Sequence, residues 1–188
     1  MMHKLAYGKR FFSSSNVVIV AAKRTPIGSF MGQLSSFQAS HLGIVATRAA
    51  LEEANVDPKD IEEVYYGQVL MHGSGQAPAT QVALGSQMRE DIPATTINKV
   101  CASGMKSIMM ASQAIQAGDR QIMVAGGMEN MSKVPHMIYL RRPTGYGDAQ
   151  LLDTISFDGL TDVYNKILMG ACTEKLCSEL GISREAQD

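Results

Sequence analysis

Short apolar runs alternate with longer amphipathic segments along most of the chain. The runs are rich in β-branched residues and end at glycine, proline or small polar residues, which is typical of buried strands. The first run, VVIVAA, is apolar on both faces and is followed by the breaker sequence KRTPIG. The sequence therefore predicts strands over Val17–Ala22, Val64–Leu70, Thr95–Val100 and Ile122–Gly127.

The segments between these runs have helical spacing. The first begins near Ser40, a suitable N-cap, and repeats apolar residues three or four positions apart until NVDP. A second helix is expected through TQVALGSQM, and a third over SGMKSIMMASQAIQAG with Gly118 as its left-handed cap. Strands and helices that alternate with short connections predict a layered α/β fold, with a mostly parallel sheet covered by helices on both faces.

The regular pattern stops after Gly127. We therefore expect an α/β domain over residues 17–128 and an extended loop region over residues 129–188, with one further helix around ACTEKLCSEL. Ser183 and Glu185 are typical of another helix start, but the sequence ends at Asp188 before we expect that helix to form. The sequence thus predicts the amino-terminal part of a longer protein.

The charge and cysteine content exclude several classes of partner. With 17 basic and 18 acidic residues, the net charge of −1 provides no field that would attract nucleic acid or an anionic membrane surface. No apolar run approaches the roughly 20 residues that cross a bilayer. The 3 cysteines are odd in number and lack zinc-finger spacing, which favours a reducing compartment and no metal site.

Residues 1–16 have the composition of a transit peptide. MMHKLAYGKRFFSSSN contains basic residues and a serine cluster, and no acidic residue occurs before Glu52. A secretory signal would need a continuous apolar stretch, which this segment lacks. We therefore predict a mitochondrial transit segment and a mitochondrial location, with a disordered amino terminus as the alternative.

Cys101 is the main candidate for chemistry. It follows a predicted strand and opens a predicted helix, whose free first-turn amides would favour the thiolate form of the side chain. Small residues follow it, so that a substrate carbonyl could approach. From position and flanking residues alone, a small buried core thiol is the favoured alternative, because free cysteines are among the most buried residue types.

Four motifs in order resemble the thiolase family, in particular its mitochondrial short-chain members: RTPIGSFMG, NKVCASGMKS, VAGGMENMS and DGLTDVY. The likeness extends from about Val17 to the last residue. It implies a thiolase-like layered α/β fold, of which this sequence would hold the first half and part of the loop region that binds coenzyme A (CoA). It also implies a role in fatty acid, ketone body and isoleucine metabolism.

The resemblance assigns chemistry to Cys101. In this family the matching cysteine accepts an acetyl group from one acetyl-CoA, and a second acetyl-CoA condenses with it to give acetoacetyl-CoA, or the reverse. The backbone N–H of the cysteine stabilises charge on the thioester oxygen. CoA is then a substrate, and no cofactor is expected. Gly126 and Gly127 are expected to pass close to the cysteine's helix or to substrate.

The same resemblance implies that Leu160 and Met169 line the pocket for the acyl-pantetheine arm. Two positions depart from the family pattern: Leu168 replaces a histidine and Thr80 replaces an arginine. A polar contact to CoA and a contact between subunits are therefore in doubt. Family members form homo-oligomers, commonly tetramers, so self-association or association with a full-length subunit is expected.

The family's second cysteine, its catalytic histidine and a water-binding asparagine lie on motifs that do not occur in these 188 residues. His41, His72 and His136 match none of them, and Glu129 and Asn130 are better interpreted as structural than as an acid and base. Without these groups we expect no complete turnover. The alternatives are a catalytically incomplete chain that associates with full-length subunits and a 3-ketoacyl-CoA thiolase of longer chain preference.

Overall fold

A computed structural model of the chain describes residues 17–141 and 145–188, so the expected transit segment lies outside the described residues. The chain forms two compact units. Of the described residues, unit 1 comprises 17–26, Ser40–Gln68 and Ala77–Met128, and unit 2 comprises Ile27–Ala39, Val69–Gln76 and the described part of Glu129–Asp188. Two loops of the expected α/β domain thus belong to the same unit as the expected loop region.

Unit 1 is built on a three-stranded parallel sheet in the order β2-β1-β3. In register, Val64 of the central strand lies beside Ala94 on one side and Val124 on the other. Val64 is fully buried and Tyr66 is 3% exposed, as expected for a strand with neighbours on both edges. The strands are β1 (Glu63–Gly67), β2 (Ala94–Ile97) and β3 (Met123–Gly127).

Helices cover both faces of this sheet, as the sequence predicted. They are α1 (Ala39–Ala54), α2 (Pro78–Gly85) and α3 (Ser103–Gln116). Tyr66 and Gly67 point to opposite faces because they are consecutive in a strand. The Tyr66 hydroxyl donates to the Gly43 carbonyl of α1, whereas Gly67 abuts the first turn of α3. The helix caps also agree in part: Gly118 has φ +77° after α3, but α1 begins one residue before Ser40.

The strand predicted over Val17–Ala22 is wrong. The segment is not part of any sheet, and Val18, Ile19 and Val20 are 69–75% exposed. An apolar β-branched run favours extended backbone, but a strand also needs a neighbour with which to exchange hydrogen bonds. Within the described residues no strand pairs with this segment, so the run lacks the partner that a strand requires.

The strands of the sheet are also shorter than predicted, because other groups bind the backbone at their ends. β1 stops at Gly67, and the Glu129 carboxylate accepts hydrogen bonds from the N–H groups of Val69 and Leu70. β2 stops at Ile97, after which the chain enters the tight turn that leads to Cys101.

Unit 2 contains short elements that the sequence pattern did not predict. A 3₁₀ turn over Met131–Lys133 precedes a two-stranded antiparallel ribbon of β4 (His136–Met137) and β5 (Leu152–Asp153). A π-helical segment, Ile155–Leu160, follows directly. Such segments are rare and are often found at functional sites.

The predicted carboxyl-terminal helix is confirmed as α4 (Met169–Leu180), which ends at Gly181 with φ +66°. The expectation that no helix follows Ser183 is wrong. The Ser183 hydroxyl accepts the N–H of Ala186 and caps a short helix, α5 (Arg184–Gln187). A single helical turn is therefore long enough for Ser183 to act as its N-cap. None of the helices in the described residues combines the length and apolar character needed to cross a membrane.

Candidate active site

Cys101 lies in the connection between β2 and α3, and its side chain is exposed. The helix begins two residues later at Ser103, and its N-cap, Ala102, provides no side-chain cap. The first-turn amides of α3 are thus left without a capping side chain beside the thiol. Such amides and the helix dipole favour an anion at this position. The open interpretation of Cys101 as a buried core thiol is therefore wrong.

The residue before the cysteine is held in a strained conformation. Val100 has φ +50°, in the left-handed region that β-branched residues avoid. Its N–H donates to Asn98 Oδ1 at 3.0 Å, and its carbonyl accepts the Ser103 hydroxyl at 2.6 Å. The same Ser103 oxygen accepts the N–H of Lys99 at 2.8 Å. Strain of this kind costs about 1–3 kcal/mol and persists only where the surroundings fix it.

The start of α3 is packed closely against two strands of the sheet. A Cβ added at Gly67 would lie 2.5 Å from the Ser103 carbonyl carbon and 2.6 Å from the Gly104 nitrogen. A Cβ added at Gly127 would lie 3.1 Å from the Gly104 Cα. The expected close approach of Gly127 to the cysteine's helix is therefore confirmed, and side chains larger than hydrogen at these sites would displace the backbone next to Cys101.

Gly126 has a different neighbour on its side-chain face. A Cβ there would lie 2.7 Å from Tyr66 Cζ, while its carbonyl accepts the Ser107 hydroxyl of α3 at 2.7 Å. Ser107 is fully buried and also donates to the Gly104 carbonyl at 2.6 Å. One serine hydroxyl thus ties β3 to α3 one turn after the cysteine.

The candidate pocket residues Leu160 and Met169 lie in unit 2. Leu160 ends the π-helical segment and Met169 begins α4, and their side chains are 40% and 43% exposed. Thr161 and Leu168 pair as an isolated antiparallel bridge, and the N–H of Asp162 donates to the Ile167 carbonyl at 2.8 Å. The structure therefore brings Leu160 and Met169 to the two ends of one closed loop. Leu168, which replaces the histidine of the family pattern, is the N-cap of α4.

Glu129 acts on backbone groups, as the structural interpretation expected. Its carboxylate accepts the N–H of Val69 at 2.9 Å and that of Leu70 at 3.3 Å. Burial raises the pKa of the Glu129 carboxyl, and the two backbone hydrogen bonds partly oppose that shift. Both oxygens are thereby engaged in holding the segment that follows β1.

Asn130 connects two segments of unit 2, Ile27–Ala39 and Glu129–Asp188. Its side-chain nitrogen donates to the carbonyls of Leu34 and Phe37, at 2.9 Å and 2.7 Å, and its oxygen accepts the N–H of Ser132. The Ser132 hydroxyl in turn accepts the N–H of Met31 at 2.8 Å. These contacts agree with a structural role for Asn130.

One contact was missed by sequence reasoning. His72 Nε2 lies 3.4 Å from Asp158 Oδ2, which links the loop after β1 to the π-helical segment. The two residues are far apart in sequence, so only a fold could have indicated their proximity. Among residues 17–141 and 145–188, no group of three or more histidine, cysteine or acidic side chains is placed to hold a metal ion.

Comparisons with known proteins agree with this geometry. The family model described as "Thiolase, N-terminal domain" matches residues 17–188. Proteins named mitochondrial acetyl-CoA acetyltransferase are similar in sequence: that of Xenopus tropicalis is 55% identical over 93% of this chain and 41% of its own length, and that of Homo sapiens is 50% identical over 100% and 45%. The chain thus spans less than half the length of the curated relatives it matches.

A solved structure gives the same picture of the fold. The crystal structure of a thiolase from Ascaris suum in complex with coenzyme A superposes with a TM-score of 0.85 at 42% sequence identity. The match covers 89% of this chain and 44% of the Ascaris chain.

Proposed function

Because the chain belongs to the thiolase family, we propose that Cys101 is the acyl acceptor of an acetyl-CoA C-acetyltransferase reaction. In this reaction two molecules of acetyl-CoA give acetoacetyl-CoA and CoA, and the reverse direction cleaves acetoacetyl-CoA with CoA. The observation that carries the proposal is the 50–55% identity, over nearly the whole chain, to proteins named mitochondrial acetyl-CoA acetyltransferase. The exposed position of Cys101 at the start of α3 supports it.

In the first step the Cys101 thiolate attacks the thioester carbonyl of acetyl-CoA. A new carbon–sulfur bond forms, the bond to the sulfur of CoA breaks, and the released CoA thiolate takes up a proton. The backbone N–H of Cys101 would stabilise the negative charge that develops on the carbonyl oxygen. The acetyl group remains activated on Cys101, because a thioester has been exchanged for a thioester.

In the second step the α-carbon of another acetyl-CoA, after loss of a proton, attacks the acetyl group on Cys101. Acetoacetyl-CoA is released and the thiolate is regenerated. A base must remove the α-proton, and the family motifs expected to supply it do not occur in the 188 residues of this sequence. We therefore expect the chain by itself to become acetylated at Cys101 without completing condensation.

Leu160 and Met169 are proposed to contact the pantetheine arm of CoA, which enters as a substrate. Their apolar side chains are partly exposed at the two ends of one loop in unit 2. Exposed apolar side chains of this kind can contact the narrow pantetheine arm, which is largely an alkyl chain with amide groups. The solved Ascaris thiolase holds coenzyme A, which supports CoA as a ligand of this fold. Replacing either residue with serine should raise KM for acetyl-CoA and leave the acetylation rate at saturation nearly unchanged.

A second candidate function is association with a full-length thiolase subunit. The outer face of α3 favours it, because Met105, Ile108 and Met109 occur at helical spacing and are 47–67% exposed. Contiguous apolar surface of this kind marks interaction sites. If the chain copurifies with a full-length subunit, and replacing these three side chains with polar residues abolishes that copurification, this role is supported. Unchanged copurification of the variant with three polar replacements would contradict it. Formation of a homo-oligomer is part of the same proposal.

Mass spectrometry of the chain after incubation with acetyl-CoA tests the main proposal. The acetyl group should appear on Cys101 and be absent from the Cys101→Ala variant. Cys172 and Cys177 are free and partly exposed, and so provide internal controls for nonspecific acetylation. Equal labelling of all the cysteines, or no labelling of Cys101, would contradict the nucleophilic role.

Two further assays address the remaining alternatives. Acyl transfer from longer 3-ketoacyl-CoA substrates in preference to acetoacetyl-CoA would favour the longer-chain thiolase. A mitochondrial location is proposed from the names of the relatives and the composition of residues 1–16. A reporter fused to residues 1–20 should be imported by mitochondria, and its retention in the cytosol would contradict the proposed location.

A further inference from the structure

The orientation of Cys101 depends in part on a backbone torsion of the residue before it. Rotation about φ of Val100 moves the following peptide and Cys101 together, so the value of +50° contributes to where the thiol is presented. The Val100 side chain is 51% exposed, so packing of that side chain does not explain why the strained value is kept. The turn must be held by contacts to its backbone.

Two polar side chains and one backbone N–H hold it. Asn98 Oδ1 accepts the N–H of Val100, and the Val100 carbonyl accepts both the Ser103 hydroxyl at 2.6 Å and the Ser103 N–H at 3.0 Å. Both backbone polar groups of the strained residue are therefore hydrogen-bonded, and the side-chain share of these bonds comes from Asn98 and Ser103. We propose that Ser103, assisted by Asn98, is a positioning residue that keeps Val100 left-handed and so aims the Cys101 thiol. The inference rests on the proposed acyl transfer at Cys101.

Helix capping does not account for the contacts of Ser103. A capping serine precedes the helix and accepts N–H groups from the residues that follow it. Ser103 is instead the first residue of α3, is 4% exposed, and bonds backward to Lys99 and Val100. Its hydroxyl accepts one hydrogen bond and donates one, and both partners belong to the turn that carries Cys101.

Glycine at position 100 gives a specific test, because glycine adopts positive φ without strain. If Ser103 acts by holding Val100 left-handed, the serine should matter much less once that conformation costs nothing. We expect Ser103→Ala to slow acetylation of Cys101 by roughly tenfold to a hundredfold, as for a misplacement of about 1 Å. Val100→Gly in the same chain should restore the rate to within about threefold of wild type.

Ser107→Ala is the matched control. It removes a buried hydroxyl with two backbone partners from the same helix, one turn further on and away from the turn that carries Cys101. It should lower thermal stability, leave acetylation within about twofold of wild type in folded protein, and gain nothing from Val100→Gly. A structural role of Ser103 alone would make the two serine variants behave alike.

The rates are measured on the full chain by mass spectrometry of acetyl-Cys101, with alkylation by iodoacetamide as a second readout. Wild-type rates in Ser103→Ala, or a double variant as slow as Ser103→Ala, would overturn the positioning role. If Ser103→Ala does not fold, the double variant Val100→Gly/Ser103→Ala must regain both folding and acetylation of Cys101. A double variant that fails to regain them overturns the positioning role of Ser103. Absence of acetylation in the wild type would refute the proposed function, and the order of the alkylation rates would still decide the role of Ser103.

Discussion

Replacement of Gly67 by alanine is the most direct test of the packing beneath Cys101. Gly67 ends β1 and faces the first turn of α3. The added Cβ would lie 2.5 Å from the Ser103 carbonyl carbon and 2.6 Å from the Gly104 nitrogen. Both neighbours are backbone atoms, so a change of side-chain rotamer cannot relieve the contact, and α3 must move away from the sheet.

The size of the effect follows from these distances. Ordinary contacts of a Cβ begin at 3.4 Å, so the helix start must move by about 1 Å. Overpacking of a close-packed core typically lowers the free energy of unfolding by about 1–3 kcal/mol. Because the neighbours are rigid backbone atoms, we expect Gly67→Ala to lower it by about 3 kcal/mol. At roughly 2–4 °C per kcal/mol for a chain of this size, Tm should fall by about 6–12 °C.

The assay is urea and thermal unfolding followed by circular dichroism, with Gly104→Ala as the matched control. A Cβ at Gly104 would have its nearest neighbour, Gly127 Cα, at 3.6 Å, which is an ordinary contact. Both changes restrict the unfolded chain equally, so their difference isolates the clash. Gly104→Ala should equal or exceed the wild type, because alanine favours the helix by about 0.5–1 kcal/mol. If Gly67→Ala is as stable as Gly104→Ala, β1 is not packed tightly against α3.

Three other changes test separate parts of the structure. Burial raises the pKa of the Glu129 carboxyl above its usual 4.5, so the folded chain holds that proton more tightly than the unfolded chain does. Its contribution to the free energy of unfolding should therefore fall as the pH rises from about 4.5 through the raised value, and Glu129→Gln should lack this part of the slope in urea titrations. An unchanged slope would contradict the assignment. Tyr66→Phe removes a buried hydroxyl that contacts Gly43 and Thr47, and should lower the free energy of unfolding by about 1–2 kcal/mol; a change below about 0.3 kcal/mol would show that these hydrogen bonds contribute little. Gly118→Ala places a Cβ in open space but at φ +77°, so about 1 kcal/mol of destabilisation is expected from the backbone alone, and thermal unfolding with no loss of stability would show that the cap is not strained.

The types and approximate places of the longer elements could be predicted from the sequence. Helix α3 and its glycine cap follow from apolar spacing and a single residue that tolerates positive φ, and α4 follows in the same way. The strand β3 was predicted to within one residue, because it is a short β-branched run ended by two glycines. Cys101 was singled out by its position between a predicted strand and a predicted helix. These features depend on residues within a few positions of one another.

Other features were decided only when distant residues met. Val17–Ala22 has the composition of a buried strand, yet no described strand pairs with it. Just beyond the end of β1, the Glu129 carboxylate accepts the N–H of Leu70 from 59 residues away in sequence, and no local pattern indicates that contact. The strained turn at Val100 is hidden for a different reason: its partners Asn98 and Ser103 are close in sequence, but valine ordinarily predicts extended backbone.

The sequence by itself therefore determined the longer helices and the approximate places of β1, β2 and β3, because apolar spacing and turn residues act through local backbone preferences. The tertiary structure decided where strands end, which run stays unpaired and how closely the helix after Cys101 packs on the sheet. Those outcomes depend on hydrogen-bond partners and close backbone contacts between segments distant in sequence, as at Gly67 against the start of α3. Only the folded chain brings such partners together.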